Sequence, residues 1–166
     1  IFGLSAVYFW FSFFGATFVF PPSYSPDELL RCVRRHEVTH IFAVPLLWQA
    51  IEKGVLREVA ALDDKTRAKF EKGTELSLKL QQFSAPFGAY LAKKIFGEVR
   101  EKLLGDSVRC CITGGSGIAP SAIRLINALG YKLYNGYGMS EIGITSMESS
   151  PRVRTRIRAT IGKPFP

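Results

Sequence analysis

Three short apolar runs, each closed by a turn signal, constrain this chain more than anything else in it. They are IFAV, stopped by Pro45; VRCCIT, stopped by Gly114 and Gly115; and YKLYNGYG, a strand running into a loop. Between them lie segments with helical patterning. Apolar strands of this length alternating with helices satisfy their burial in an α/β fold: a layered, largely parallel sheet flanked by helices, here expected on both faces. Such sheets take ligands at the carboxyl ends of their strands. Those ends are VPLL, TGGSG and NGYGMSE, so three loops are expected to face one side.

The helices carry their own start and stop signals. Ser25-Pro26-Asp27-Glu28 places a cap, a first-turn proline and two acids at a helix start, and Leu29, Leu30 and Val33 then share one face. PLLWQAIEKG follows the first strand, and PSAIRLINALG follows the second with Gly130 at its end. From Val55 to Leu104 acids and bases are mixed along helical sequence, which reads as solvated faces paired at i,i+4. With 47% hydrophobic and 22% charged residues in 166, a disordered tail or a charged linker is excluded. The size fits one domain. Because the chain starts at Ile1 inside an apolar run and ends at Pro166 after an apparent strand, residues 1–166 read as a single partial domain, with a helical insertion at about 55–104.

A net charge of +8 favours polyanionic partners: nucleotides, nucleic acid or a membrane surface. Nucleic acid is set aside because no aromatic platform or reading helix accompanies the basic residues. Arg152, Arg154, Arg156 and Arg158 recur at period two, and an extended segment would place them on one face as a charged edge. The three cysteines, Cys32, Cys110 and Cys111, are odd in number and lack C-x-x-C spacing, which fits a reducing, cytoplasmic setting. The uncharged stretch from Ile1 to Pro26 is nominally long enough to cross a bilayer. Its serines, glycines and closing prolines favour a buried helix over 2–13, a break at Gly15 and a short strand, ATFVF. His36-Glu37-Val38-Thr39-His40 matches H-E-x-x-H, but Val38 and Thr39 lead into a strand, so the histidines are not expected to share a helical face as zinc ligands.

Two segments carry chemistry. In VRCCIT-GGSG-IAPSAIRL a strand, glycine turn and helix follow in the order of anion-binding loops, whose glycines let backbone N–H groups approach a phosphate. Gly115 and Gly117 begin a G-x-G, and Pro120 stands where a third glycine would complete the dinucleotide pattern. YNGYGMSE sets an amide, glycines, an aromatic ring, a hydroxyl and a carboxylate in one short stretch. Asn135 can hydrogen-bond a base edge, Tyr137 can stack, and Gly136 and Gly138 permit close approach. Ser140 can meet a phosphate oxygen, and Glu141 can hold a magnesium ion that bridges phosphates. The plainer alternative is a tight loop with Tyr137 in the core and Glu141 capping a helix.

GGSGIAP, then YNGYGMSE, then TIGKPFP resembles, in order and spacing, the adenylate-forming superfamily of acyl-CoA synthetases, luciferases and adenylation domains. THIFAVPLLWQAI resembles the family's VP segment, and the helical stretch through IFGEVREKLLGDSVRCCITGG resembles the long-chain fatty acyl-CoA synthetases in particular. The resemblance implies that Gly115, Ser116 and Gly117 line the adenine pocket and that Asn135 meets the adenine amino group. It implies further that Tyr137 stacks on the base within the Gly136, Gly138 and Met139 stretch, that Ser140 approaches the α-phosphate, and that Glu141 ligates magnesium. Ser140 stands where threonine is commoner, and Gly117 where GGAPL has proline. The implied cofactors and substrates are ATP, giving AMP, with Mg2+, CoA and a fatty acid. The family's phosphate loop is expected upstream of Ile1, and its ribose-binding aspartate, hinge and catalytic lysine beyond Pro166, so these 166 residues alone are expected to be inactive. Activity on aryl or amino acids is the first alternative. A noncatalytic module peripheral to a membrane is the second, and self-association of the isolated piece is expected from surface left uncovered.

Overall fold

The computed structural model describes residues 7–23 and 25–165. The helix expected over 2–13 lies partly outside those residues, and its described end is the short α1 (Trp10–Phe13). Gly15 follows with φ +68°, as the expected break. Ala16 to Phe20 form no strand, because nothing among the described residues pairs with them, and Phe13 and Phe20 stand exposed instead of buried. No helix among the described residues is long and apolar enough to cross a membrane.

Helix α2 (Pro26–Arg35) starts as its sequence predicts. Ser25 is the cap, its Oγ accepting from the Glu28 N–H at 3.4 Å, and Asp27 and Glu28 sit at the positive end. The helix stops before His36, and Glu37 adopts φ +48°, which turns the chain into β1 (His40–Ala43). The two histidines therefore lie on different elements. From Pro45 the chain continues as α3 (Pro45–Ala60), then α4 (Asp64–Phe83), α5 (Ala85–Ile95) and α6 (Gly97–Lys102). After these come β2 (Cys110–Thr113), α7 (Pro120–Ala128), β3 (Leu133–Met139), β4 (Gly143–Met147), α8 (Val153–Arg156) and β5 (Lys163–Pro164).

The five strands form one sheet in the order β1-β2-β3-β4-β5, with β1, β2 and β3 parallel and β3, β4 and β5 antiparallel. Both parallel crossovers step the same way across the sheet. Right-handed connections then put their helices on the same face. Ile41, Cys111 and Leu133 point into that face and are buried with Trp48 and Ile51 of α3 and Ile123 and Ile126 of α7. Each such Ile or Leu contributes about 2 kcal/mol by leaving water. On the opposite face, Phe42, Ile112 and Tyr134 are half-buried, and the Phe11 ring of α1 packs 5.0 Å from that of Phe42. Helices thus cover the first face fully, while among the described residues α1 meets the second at Phe42 and the Arg156 guanidinium of α8 lies 5.4 Å from the Tyr134 ring.

The helical stretch is tied to the sheet layer by polar groups. The last carbonyls of α7 are buried and have no partner within their own helix. Ser77 of α4 donates to Ala128 O at 2.6 Å, Gln81 of α4 to Asn127 O at 2.9 Å, and Arg100 of α6 to Leu129 O at 2.9 Å. Arg100 is 1% exposed; its guanidinium lies 3.9 Å from the Tyr131 ring and 2.8 Å from Asp106 Oδ1. The expected i,i+4 lacing of this stretch is not what forms. Its ion pairs among the described residues are Arg67 with Asp64 at i,i+3 and Arg100 with Asp106.

The arginine stripe is also corrected. Residues 153–156 coil into one helical turn because Val153 drops into a small core with Leu78 and Ala128. The coil carries Arg156 inward. Its Nε donates to Asn127 Oδ1 at 2.9 Å, and one Nη donates to the Ser150 and Pro151 carbonyls. Arg152, Arg154 and Arg158 stay exposed.

Candidate functional site

The sheet register sets the carboxyl ends of the parallel strands level with one another. Ala43 pairs with Thr113 and Thr113 with Asn135. The residues that follow, Val44, Gly114 and Gly136, stand at one height where the parallel pairing ends, so the three segments do share one side. They differ in form. Val44 caps α3, Gly114 to Ala119 form a loop, and the third segment does not leave the sheet.

That third segment corrects the expected loop. Asn135, Gly136, Tyr137, Gly138 and Met139 all lie within β3, paired with β4, and the chain turns only at Ser140, Glu141 and Ile142. The register shifts between Tyr137 and Gly138. A Cβ on Gly138 would fall 2.4 Å from the Gly143 carbonyl oxygen, so its bare backbone serves the β3–β4 contact. Gly136 is less confined, with Thr113 O and Ser146 O at ordinary contact distance from a would-be Cβ.

In the loop, Gly115 is the residue that needs glycine. Its φ is +93°, and nothing lies within 4 Å of where a Cβ would be. Gly117 has no such requirement, so the departure from proline there costs the loop no special conformation. Gly115, Ser116 and Gly117 are exposed at the head of α7. Tyr137 is 43% exposed, which rules out a core role, and Glu141 caps no helix: with Ser140 and Met139 it stands exposed at the β3–β4 turn.

Asn135 is buried, and its Nδ2 donates to Ala159 O at 3.0 Å. Only an amide N–H can make that bond, so the side-chain carbonyl Oδ1 is left as the acceptor. Its backbone O receives the Glu148 N–H at 2.8 Å. Glu148 is buried too, its carboxylate accepting from the Ser150 N–H and the Thr160 hydroxyl. These bonds fix the residues on which Asn135 depends.

Two further hydroxyls belong to this region and escaped the sequence reading. Thr113 Oγ1, at the end of β2, and Ser146 Oγ, on β4, are buried without a hydrogen-bond partner among the described residues. Thr113 pairs with Asn135 and Ser146 with Tyr137, so by strand alternation both hydroxyls share the sheet face of Asn135. Thr113 opens the TGGSG segment and Ser146 belongs to no motif, and only the register shows that their hydroxyls share a face. Behind the loop, burial pushes the Cys110 and Cys111 thiols up from their ordinary value, so neither is a poised nucleophile.

Among the described residues no group of three or more His, Cys, Asp or Glu converges as a metal cage. Magnesium does not need one: it is commonly held by one or two carboxylates together with substrate phosphates. An exposed Glu141 beside Ser140 fits that mode as a shared ligand. A cavity of about 900 Å3 lined by Leu30, Ile51, Val55, Phe70, Phe96 and Val99 lies in the helical layer, apart from the strand ends.

The glycine loop, the aromatic strand and the acidic turn stand on one side of the sheet, and the family model for AMP-binding enzymes matches residues 1–166. The chain belongs to the AMP-binding enzyme family. It is 26% identical over 113 residues to long-chain-fatty-acid–CoA ligase 1 of Schizosaccharomyces pombe, covering 68% of this chain and 17% of that protein. It is 28% identical over 103 residues to long-chain-fatty-acid–CoA ligase 1 of Saccharomyces cerevisiae, covering 62% and 15%. The luciferase-like enzyme from the nonluminescent Zophobas morio mealworm has a similar fold, with TM-score 0.53 and 19% identity over 92% of this chain and 27% of that one. The chain thus spans about a sixth of the length of the curated relatives it matches.

Proposed function

We propose that the whole protein is an ATP-dependent acyl-CoA synthetase acting on long-chain fatty acids, and that this chain supplies the adenine and phosphate side of its site. A carboxylate oxygen of the acid attacks the α-phosphorus and pyrophosphate leaves, giving an acyl-adenylate. The CoA thiol then attacks the acyl carbonyl and AMP leaves. The observation that carries this reading is the level register of the three strand ends in a chain of the AMP-binding family.

The geometry supports a role for each residue of the site. Asn135, with its Nδ2 held by Ala159 O, offers Oδ1 to an exocyclic amino group. Tyr137 offers an exposed ring for stacking. The Gly115, Ser116 and Gly117 loop gives backbone N–H groups, and the unpartnered Thr113 and Ser146 hydroxyls offer two further polar contacts. Ser140 would meet the α-phosphate and Glu141 would hold magnesium. Magnesium, when bound, offsets charge on the phosphates. The helices between Val55 and Leu104 are read as an insertion within a single partial domain. Long-chain preference is supported by the names of the relatives and by that insertion.

The test is pyrophosphate release by the full-length protein with ATP, magnesium and a panel of acids, beside a Glu141→Ala variant. Release should depend on palmitate far more than on acetate, and the variant should lose roughly 100-fold in rate. Equal turnover of both acids would remove the long-chain reading, and an unaffected variant would remove Glu141 from the site.

A further inference from the structure

Asn135 is held at both ends by one closed circuit of hydrogen bonds. Its main-chain carbonyl accepts from the Glu148 N–H at 2.8 Å, and its side-chain Nδ2 donates to Ala159 O at 3.0 Å. These two anchors are joined to each other, because the Glu148 carboxylate accepts from the Thr160 hydroxyl at 2.9 Å and Thr160 follows Ala159 in the chain. The other Glu148 oxygen accepts from the Ser150 N–H at 2.8 Å. The returning segment lies close on the end of β4: a Cβ on Gly162 would run into the Met147 carbonyl, and Lys163 pairs with Met147. Within it Ala159 adopts φ +55°, a conformation that a residue with a Cβ keeps only where its surroundings hold it. The bonds to Asn135, and through Thr160 to Glu148, are what hold it.

An asparagine amide has nearly the same shape either way round, but its two ends are opposite in hydrogen-bonding character. Which end meets a ligand is decided by a neighbour that can play only one part. The Thr113 and Ser146 hydroxyls on the same sheet face can each donate or accept, so they make no choice. The Ala159 carbonyl can only accept. It takes Nδ2, and Oδ1 is left for the ligand.

Resting on the reading of Asn135 as a base contact, we infer that Glu148 and Thr160 are positioning residues that lock the Asn135 amide and thereby set nucleobase selectivity. The locked Oδ1 accepts from the 6-amino group of adenine and meets a second acceptor in a 6-oxo purine. Without the Thr160 hydroxyl, Ala159 is released from its left-handed conformation, its carbonyl no longer fixes Nδ2, and the amide is free to turn an N–H toward a 6-oxo group.

The experiment is calorimetric titration of the full-length protein with ATP and with ITP, which carries the 6-oxo base, in the absence of acid and CoA. Wild type, Thr160→Val, Thr160→Ala and Thr160→Ser are compared, and acid-dependent pyrophosphate release is measured beside them. The wild type should bind ATP about tenfold or more tighter than ITP. Thr160→Val and Thr160→Ala should weaken ATP and tighten ITP, each by about threefold, while Thr160→Ser keeps the hydroxyl and should match the wild type. Thr160 is exposed, and melting curves of all three variants should stay close to the wild type. A general loosening of the site would weaken both nucleotides, so equal losses would overturn the lock, as would an unchanged ratio or a wild type indifferent to the base. Binding of neither nucleotide would overturn the lock together with the synthetase reading. Selective ATP binding without acid-dependent pyrophosphate release would remove that reading alone.

Discussion

Tyr131 shows what burial does to a single residue here. It is 1% exposed, its hydroxyl donates to Gly105 O at 3.0 Å, and its ring lies under Arg100. Burial raises its phenol well above the ordinary value, more than the neighbouring guanidinium lowers it. The unfolded chain therefore releases this proton first as pH rises, and stability is lost above about pH 10. The buried thiols of Cys110 and Cys111 act in the same sense from about pH 9. Denaturant titrations across pH 8 to about 11 should show this loss, with Tyr131→Phe costing about 1 kcal/mol at neutral pH and flattening the alkaline fall by one proton. Residue types were legible where a local signal named them: Ser25 caps α2 and Gly130 ends α7 with φ +86°, as their neighbours in sequence suggest. Thr113, Ser146 and Arg156 were not legible. Their surroundings come from strand register and from one helical turn, and no local pattern encodes either.

At the scale of elements, the capped end of α7 is the feature the sequence hid. Ser77, Gln81 and Arg100 lie in a stretch whose composition reads as solvated, yet each donates to a carbonyl of that helix end. Arg100 also brings positive charge to the negative pole of α7. Arg100→Leu should cost about 2 to 3 kcal/mol, because it leaves a buried carbonyl without a donor. Asp106→Asn should cost less, because that side chain is 68% exposed and keeps its water. Chemical denaturation of the two variants compares them directly, and equal losses would place the stabilisation in the ion pair instead. The strands β1 and β2 and the helices α2, α3 and α7 were legible because caps, prolines and apolar runs mark them. The length of β3 was not: its glycines read as a loop, and only pairing with β4 keeps them extended.

Across the whole molecule, coverage is uneven. The helix-bearing face of the sheet is closed, whereas Phe9, Phe13, Phe14 and Phe20 stand exposed beside the half-covered face of Phe42 and Ile112. Apolar surface of this kind is expected to drive self-association of the isolated 166 residues, seen as a mass above the monomer by light scattering; a monodisperse monomer would argue against it. The order in which the chain emerges during synthesis gives the α7 clamp another meaning. Chains fold largely from the N-terminus as they leave the ribosome. The hydroxyl of Ser77 precedes its acceptor by 51 residues, the Gln81 amide precedes its own by 46, and the Arg100 guanidinium precedes its own by 29. All three donors leave the ribosome ahead of α7, so its final carbonyls emerge toward partners already waiting for them. A circular permutant that begins at residue 106, so that residues 61–105 are made after α7, would reverse that timing and leave the nascent helix end open.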